Sequence, residues 1–330
     1  MNFSVGKINV FNSFICGCTV VLISSCGIKT KIEDPIASVD PKTPTTTETK
    51  PTALLTGVPT GTNNTTTLGV SVYGTKVSNY KYKVGVSGTT DCTSSTGYSA
   101  STVVATSITA NISAVADGEV KICVVGGDTS GVWQDYSSAT SATWTKDATP
   151  PTVTLTGTPT GTNNTTTLAI TVGGTGAISY KYKVGVSGST DCTSSTDYSA
   201  STVVATSITD SISALADGTI KICAVGVDSL GNWQAYSSAT SATWTKDTAA
   251  PTATLSGEPT GTSGITTLAI TVGGTGVAAY LYKVGVAGST DCTSSSGYSA
   301  STAVATLITD DISALADGSI KLCVVGSDSA

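Results

Sequence analysis

Residues 208–234 read ITDSISALADGTIKICAVGVDSLGNWQ, and this stretch decides the fold. In its middle, Ile220, Ile222 and Ala224 alternate with residues of other types. Successive side chains of a strand point to opposite faces, so this period of two indicates a β-strand with one buried face. Asp217-Gly218 stands just before it and predicts a turn, because glycine accepts positive φ.

The same alternation occurs elsewhere in this part of the chain. Residues 168–172 and 180–186 each place apolar side chains at every second position, and Ser238–Thr245 fits a last strand. Turn residues, such as those of the loop Pro159–Asn164, separate these runs. No helical period follows residue 25. Several short strands in about 100 residues are typical of an all-β sandwich.

This unit is repeated at a fixed step of 100 residues. Pro51–Leu68, Pro151–Leu168 and Pro251–Leu268 are near copies of one another. The sequence therefore predicts a tandem array. Short linkers that contain proline restrict hinge motion, so we expect a semi-rigid string. The predicted divisions are a signal peptide at 1–25, a tether at 26–50, and modules at 51–148, 149–248 and 249–330.

The stretch at 208–234 also resembles a known class of domain. It is similar to bacterial Ig-like and fibronectin type III-like surface modules, in which a leucine and Asp-Gly close a corner and an Asp-x-x-Gly-Asn turn follows the next strand. The residues that carry this resemblance are Leu215, Asp217, Gly218, Asp228, Gly231 and Asn232. The first unit departs from the pattern, since it has Val132 where the second has Asn232. The resemblance covers residues 51–330 and implies tandem Ig-like β-sandwiches.

The N-terminus has the features of an export signal. Lys7 is followed by the mainly apolar stretch Ile8–Ile23, which is short for a membrane span. Ile23-Ser24-Ser25-Cys26 resembles the lipobox of bacterial lipoproteins. This resemblance implies cleavage before Cys26, lipid on its sulfur, and a protein anchored at a bacterial outer membrane or cell surface. An ordinary cleaved signal peptide is the alternative, and residues 15–18 are a second candidate cleavage site.

Residues 26–50 have a different composition from the repeats. Lysine, threonine, proline and acidic residues dominate them, and they show no apolar period that could build a core. This composition is typical of segments that cannot form a packed core. We expect a flexible tether that lifts the first module from the membrane.

Each unit has two cysteines at a constant separation. They are Cys92, Cys123, Cys192, Cys223, Cys292 and Cys323. One disulfide per module is the simplest interpretation for an exported chain; two reduced thiols or a metal-binding pair is the alternative. Cys223 shares a strand face with Lys221 and not with Ile220, so the bridge is predicted on the outer face of its sheet.

Composition excludes several functions. The chain has no histidine, its 16 basic residues are all lysine, and its net charge is −6. Nucleic acid is therefore not a predicted partner, since no basic patch is available for it. We predict no enzymatic activity and no catalytic residues, because the commonest general base is missing. Two sulfurs per module without histidine give no closed zinc site.

Calcium and glycans are the two ligand classes left open, and no cofactor is predicted beyond them. Asp191, Asp217 and Asp228 are weak calcium candidates, because this ion binds carboxylate oxygens. Their spacing matches no EF-hand, and aspartate is also an ordinary turn former. Trp233, Trp244 and Tyr198 are candidate stacking platforms for sugars, with packing inside the module as the alternative reading. Ligand-binding residues remain unassigned.

The third unit is shorter than the others. Ala330 aligns with Leu230, so the module lacks its last strand. We expect a longer parent protein with more repeats; an open sandwich that accepts a donor strand is the alternative. The predicted function is an adhesin or a stalk that projects a binding region. A carbohydrate-binding accessory array of a larger, truncated surface protein is the alternative. The expected partners are the membrane, through the lipid, and a host, matrix or envelope protein or glycan.

Overall fold

A computed structural model describes residues 49–330 of the chain. The predicted signal peptide, Cys26 and the tether up to residue 48 lie outside the described residues. Within residues 49–330, no helix is long and apolar enough to cross a membrane.

The first module contains seven strands in two sheets. They are β1 (Thr52–Thr56), β2 (Thr62–Asn63), β3 (Ser71–Thr75), β4 (Asn79–Val86), β5 (Thr102–Val103), β6 (Gly118–Gly127) and β7 (Thr140–Lys146). One sheet pairs β1 with β3, and an isolated bridge between Val70 and Ile108 extends it. The other has the order β2-β7-β6-β4-β5, in which β2 and β7 are parallel.

The second module repeats this arrangement. Its strands are β8 (Thr154–Thr156), β9 (Thr162–Asn163), β10 (Thr171–Gly173), β11 (Ser179–Val186), β12 (Thr202–Val203), β13 (Gly218–Val227) and β14 (Thr240–Lys246). The pair β8-β10 faces a five-stranded sheet with the order β12-β11-β13-β14-β9. Tyr136–Ser138 and Tyr236–Ser238 form short 3₁₀ helices before β7 and β14.

The third module has a smaller second sheet. Its strands are β15 (Thr252–Ser256), β16 (Thr271–Thr275), β17 (Ala279–Val286), β18 (Thr302–Ala303) and β19 (Ile320–Ser327). The order β18-β17-β19 has no counterpart of β7 or β14 among the described residues, as predicted.

Each module has its own core, formed between its two sheets. In the second module, Ile170 and Val172 from one sheet pack against Tyr180, Ile220 and Ile222 from the other. All five are at most 1% exposed, and burying an isoleucine side chain is worth about 1.5–3 kcal/mol. The alternation read from residues 220–224 therefore gives the correct inward face. The prediction of tandem all-β sandwiches is confirmed, whereas the exact module boundaries remain a prediction.

Two glycine positions explain how the strands fit together. Gly218 starts β13 with φ of +131°, which agrees with the predicted corner. Gly174 has φ of +130°, and a Cβ there would lie 2.4 Å from the carbonyl oxygen of Thr152. A side chain at this position would separate the two strands of the small sheet.

Candidate functional site

The outer face of the five-stranded sheet carries the disulfide. Cys192 is bonded to Cys223, 31 residues later, and the other two modules have the same bridge. Cys223 lies opposite Lys183 in the pairing of β11 with β13, and it is absent from the core cluster. The predicted pairing and the predicted outer-face position are confirmed. Cys223 is nevertheless fully buried, because the loop at 187–201 folds over it.

Lys183 fastens this loop to the sheet. Its Nζ donates to the carbonyl oxygens of Ser194, at 2.9 Å, and Thr196, at 3.1 Å. The same Nζ lies 4.6 Å from the ring centroid of Tyr198. This is an aromatic-cation contact in a partly desolvated setting. A mainly buried ammonium group thus holds the loop at three points.

Tyr198 is used inside the module. Its ring lies 4.9 Å from that of Tyr236, and its hydroxyl donates to the carbonyl oxygen of Cys192 at 2.9 Å. Burial, with a smaller contribution from Tyr236, raises the pKa of Tyr198 to about 12. The side chain is packed on the loop, so the alternative reading of it as a packing residue applies.

The two tryptophans of the second module have different surroundings. Trp244 is 3% exposed and belongs to the core cluster, so the reading of it as a surface platform is wrong. Trp233 is 37% exposed, and the Nζ of Lys181 lies 4.7 Å from its ring centroid. In the first module, the ring of Trp133 covers Gly127, where a Cβ would lie 2.9 Å from ring atoms. A lysine therefore covers part of the Trp233 ring, and the backbone of Gly127 covers part of the Trp133 ring.

Asp217 holds the end of the last strand. Its carboxylate accepts from Lys246 Nζ at 2.6 Å and from the backbone N–H of Thr248 at 3.0 Å. Lys246 is 2% exposed and also donates to the carbonyl oxygen of Leu215. The hydrogen bond from Lys246, followed by those from Thr248, lowers the pKa of Asp217 to about 2. Asp117 and Lys146 form the same pair in the first module.

The other two calcium candidates form turns. Asp191 accepts from the N–H and hydroxyl of Thr193, and these bonds lower its pKa. Burial alone would raise the pKa of Asp228, but hydrogen bonds from Asn232, Leu230 and Gly231 outweigh it and lower that pKa. Across residues 49–330, no three His, Cys, Asp or Glu side chains come together as a metal site. The structure does not bring the three candidates into one group.

A glutamine that the sequence analysis did not single out ties the two sheets together. Gln234 is 4% exposed, and its Oε1 accepts from the N–H groups of Val153 and Gly226, both at 3.3 Å. Its Nε2 donates to the carbonyl oxygen of Ser238 at 2.6 Å. Gln134 makes the equivalent contacts in the first module. The available signal was a glutamine after tryptophan at the same place in both units.

Two asparagine side chains form hydrogen bonds across the joint between the first two modules. Asn64 Nδ2 donates to the carbonyl oxygen of Leu230 at 2.8 Å. Asn232 Nδ2 donates to the carbonyl oxygen of Asp147 at 3.0 Å. Hydrogen bonds therefore cross this joint in both directions.

No protein-family model matches the chain, and no curated protein matches it in sequence. Among solved structures, a tetra-tandem repeat from the extending region of a large adhesion protein is 20% identical, with a TM-score of 0.31, over 82% of this chain and 69% of that one. The fibronectin(III)-like modules of CbhA from Clostridium thermocellum are 15% identical, with a TM-score of 0.31, over 59% and 94%. A Ca²⁺-stabilised adhesin that helps an Antarctic bacterium reach out and bind ice is 16% identical, with a TM-score of 0.34, over 85% and 74%.

The described chain is a tandem array of Ig-like β-sandwiches. This assignment rests on the strand order, the parallel β2-β7 and β9-β14 pairs, and the separate core of each module. In the array, the buried lysines, the disulfides and the glutamines all act within one module. The two asparagines at the joint act between modules.

Proposed function

We propose that this chain is a lipid-anchored spacer of the bacterial cell surface, which carries a binding region away from the membrane. Export and the lipid on Cys26 come from the lipobox resemblance. The tether at 26–50 would separate the anchor from the first module. The modules would then supply length and stiffness without any catalytic role.

The observation that carries this proposal is the double attachment of the linker between the first two modules. Asp117 of the first module binds Lys146 and the N–H of Ala148. Asn232 of the second module binds the carbonyl oxygen of Asp147 in the same short segment. A linker held from both sides cannot act as a free hinge, and a stiff joint would lengthen the reach of a spacer.

The surface of the modules supports the same function. Lys181 and Lys183 lie over the rings of Trp233 and Tyr198, and the disulfide-anchored loop covers the sheet beneath them. Carbohydrate recognition, the alternative function, is less favoured by these rings, because a lysine ammonium lies over one face of each.

Lengthening the array tests this function. An extra copy of residues 149–248, inserted after residue 248, is expected to move the C-terminal end outward. Adhesion of the whole cells to other cells and matrix should stay unchanged. The distance of a C-terminal epitope from the membrane, measured by super-resolution imaging on whole cells, is the readout. The N-terminal peptide should also carry lipid on Cys26 in intact-mass analysis.

Substitutions in the exposed loops provide the opposing test. If the modules serve only as spacers, replacing exposed threonines of the loop at 187–201 leaves adhesion to cells and matrix intact. Loss of adhesion by such variants, with the disulfides formed and the fold retained, would show that the modules themselves bind and would overturn the spacer assignment.

A further inference from the structure

We propose that Asn64 and Asn232 form an inter-module latch that fixes the orientation of the second module on the first. Asn64 reaches forward to the carbonyl oxygen of Leu230, and Asn232 reaches back to that of Asp147. The two bonds come from opposite sides of the joint. Together they constrain the joint more than either bond would alone.

The second module presents its half of the latch in a preformed turn. Asp228 Oδ1 accepts from the N–H groups of Leu230 and Asn232, both at 2.9 Å. Asn232 Nδ2 donates one hydrogen to Asp228 Oδ2 at 2.8 Å, and it also donates to Asp147 across the joint. The amide is therefore oriented within its own module before the joint closes, which reduces the entropy lost on closure.

The first module holds its half equally firmly. The N–H of Asp147 donates to the carbonyl oxygen of Asn63 at 2.9 Å, and Asp147 Oδ1 accepts from Thr149 at 3.2 Å. Asn63 fixes the adjoining turn, since its Oδ1 accepts from the N–H of Thr65. Both the donor Asn64 and the acceptor Asp147 thus stand on backbone that is already bonded in place.

The repeats themselves show that Asn232 is not needed to fold the turn. In the first module the equivalent residue is Val132, yet its N–H donates to Asp128 Oδ1 at 2.9 Å, as that of Asn232 does to Asp228. The side-chain amide is the part that differs, and it is the part that crosses the joint. The third unit has Gly264 in place of Asn64 and so lacks the forward donor.

The test measures the distribution of distances across this joint in the full chain. Val103 and Val203 are 57% and 58% exposed and can be replaced by spin-labelled non-natural amino acids. Pulsed electron paramagnetic resonance then reports the distance between the two modules. We expect one narrow distance peak in the parent chain. The double variant Asn64→Ala with Asn232→Val should broaden it, since losing each neutral hydrogen bond raises the population of the open joint by about fivefold.

Two matched variants separate the latch from general effects. Asn164→Ala removes the equivalent amide of the second module, and Val132→Asn adds one to the first; both should leave the peak unchanged. A broad distribution in the parent chain, or an unchanged narrow peak in the double variant, would overturn the latch. This inference adds a mechanism to the proposed spacer, but a spacer with a flexible joint would still pass the epitope-distance test, so the two can fail separately.

Discussion

At the corner before β13, one carboxylate secures the end of the module. Asp217 is held ionised by a buried lysine and two groups of Thr248, and its pKa falls to about 2. An aspartate in an unfolded chain has a pKa of about 3.9. Because the folded value is the lower one, the pair stabilises the module fully above pH 4, and this contribution is lost as the pH falls through 2.

Substituting this aspartate should remove that pH dependence. We expect Asp217→Asn to lower the melting temperature of the second module at pH 5–7, because Lys246 would stay buried without its counter-ion. The difference from the parent chain should shrink as the pH approaches 2. Hydrogen exchange of the β14 amides at a series of pH values measures the stability of the second module by itself.

The control is an aspartate in the same module without such partners. Asp197 is exposed, and its φ of 64° is a conformation that asparagine also tolerates. Asp197→Asn should leave exchange in β14 unchanged at every pH. If Asp217→Asn lowers the stability of the second module by the same amount at every pH down to 2, the assigned ion pair is contradicted.

The sequence predicted the position of Asp217 but not its partner. Asp-Gly marks a corner locally, whereas Lys246 stands 29 residues later. The two meet because Gly218 pairs with Lys246 in the register of β13 and β14. Such a register depends on the packing of the whole sheet, which a local pattern does not contain.

At the level of elements, the strand faces could be predicted and the short strands could not. The alternation at 220–224 gave the buried face of β13 because a period of two is a strong local signal. Inside the predicted loop Pro159–Asn164, β9 has two residues and therefore no period, and it forms only by pairing with β14. The last strand begins at Thr240, since Tyr236–Ser238 forms a 3₁₀ helix first.

The disulfide should be the main stabiliser of the outer loop. Removing it with Cys192→Ser and Cys223→Ala opens a closed loop of 31 residues, which is worth about 3–4 kcal/mol in the chain-entropy model. We expect the loop at 187–201 to exchange its amides faster and the second module to unfold at lower denaturant concentration.

The first module is the internal control for this prediction. Its bridge, Cys92–Cys123, is untouched, so its own unfolding transition should not move. Equal destabilisation of both modules would show that they do not unfold separately. An unchanged second module would show that Lys183 and its carbonyl partners hold the loop without the bridge.

At the scale of the whole molecule, the parallel strand pairs of the first two modules predict resistance to force applied between the ends of a module. If the chain is anchored as proposed, force would enter each module near its first strands and leave through its last. In the second module, β9 and β14 run parallel, with bonds from Thr245 N–H to Gly161 and from Asp247 N–H to Asn163 at 2.8 and 2.9 Å. Pulling the two strands in opposite directions loads these bonds together rather than one after another.

Once a module yields, its disulfide limits how far it extends. Cys192 and Cys223 are 31 positions apart in sequence, and the bridge excludes this stretch from the extended path, so reduction should add about 110 Å per module at about 3.6 Å per residue. Stretching single chains in an optical trap, before and after reduction, measures this increment, and the variant Cys192→Ser with Cys223→Ala should show it in one module without reductant. An extension that is the same in both redox states would mean that the bridges do not lie within the load-bearing path. The increment therefore tests, in one experiment, whether the modules unfold as separate units and whether each carries its own bridge.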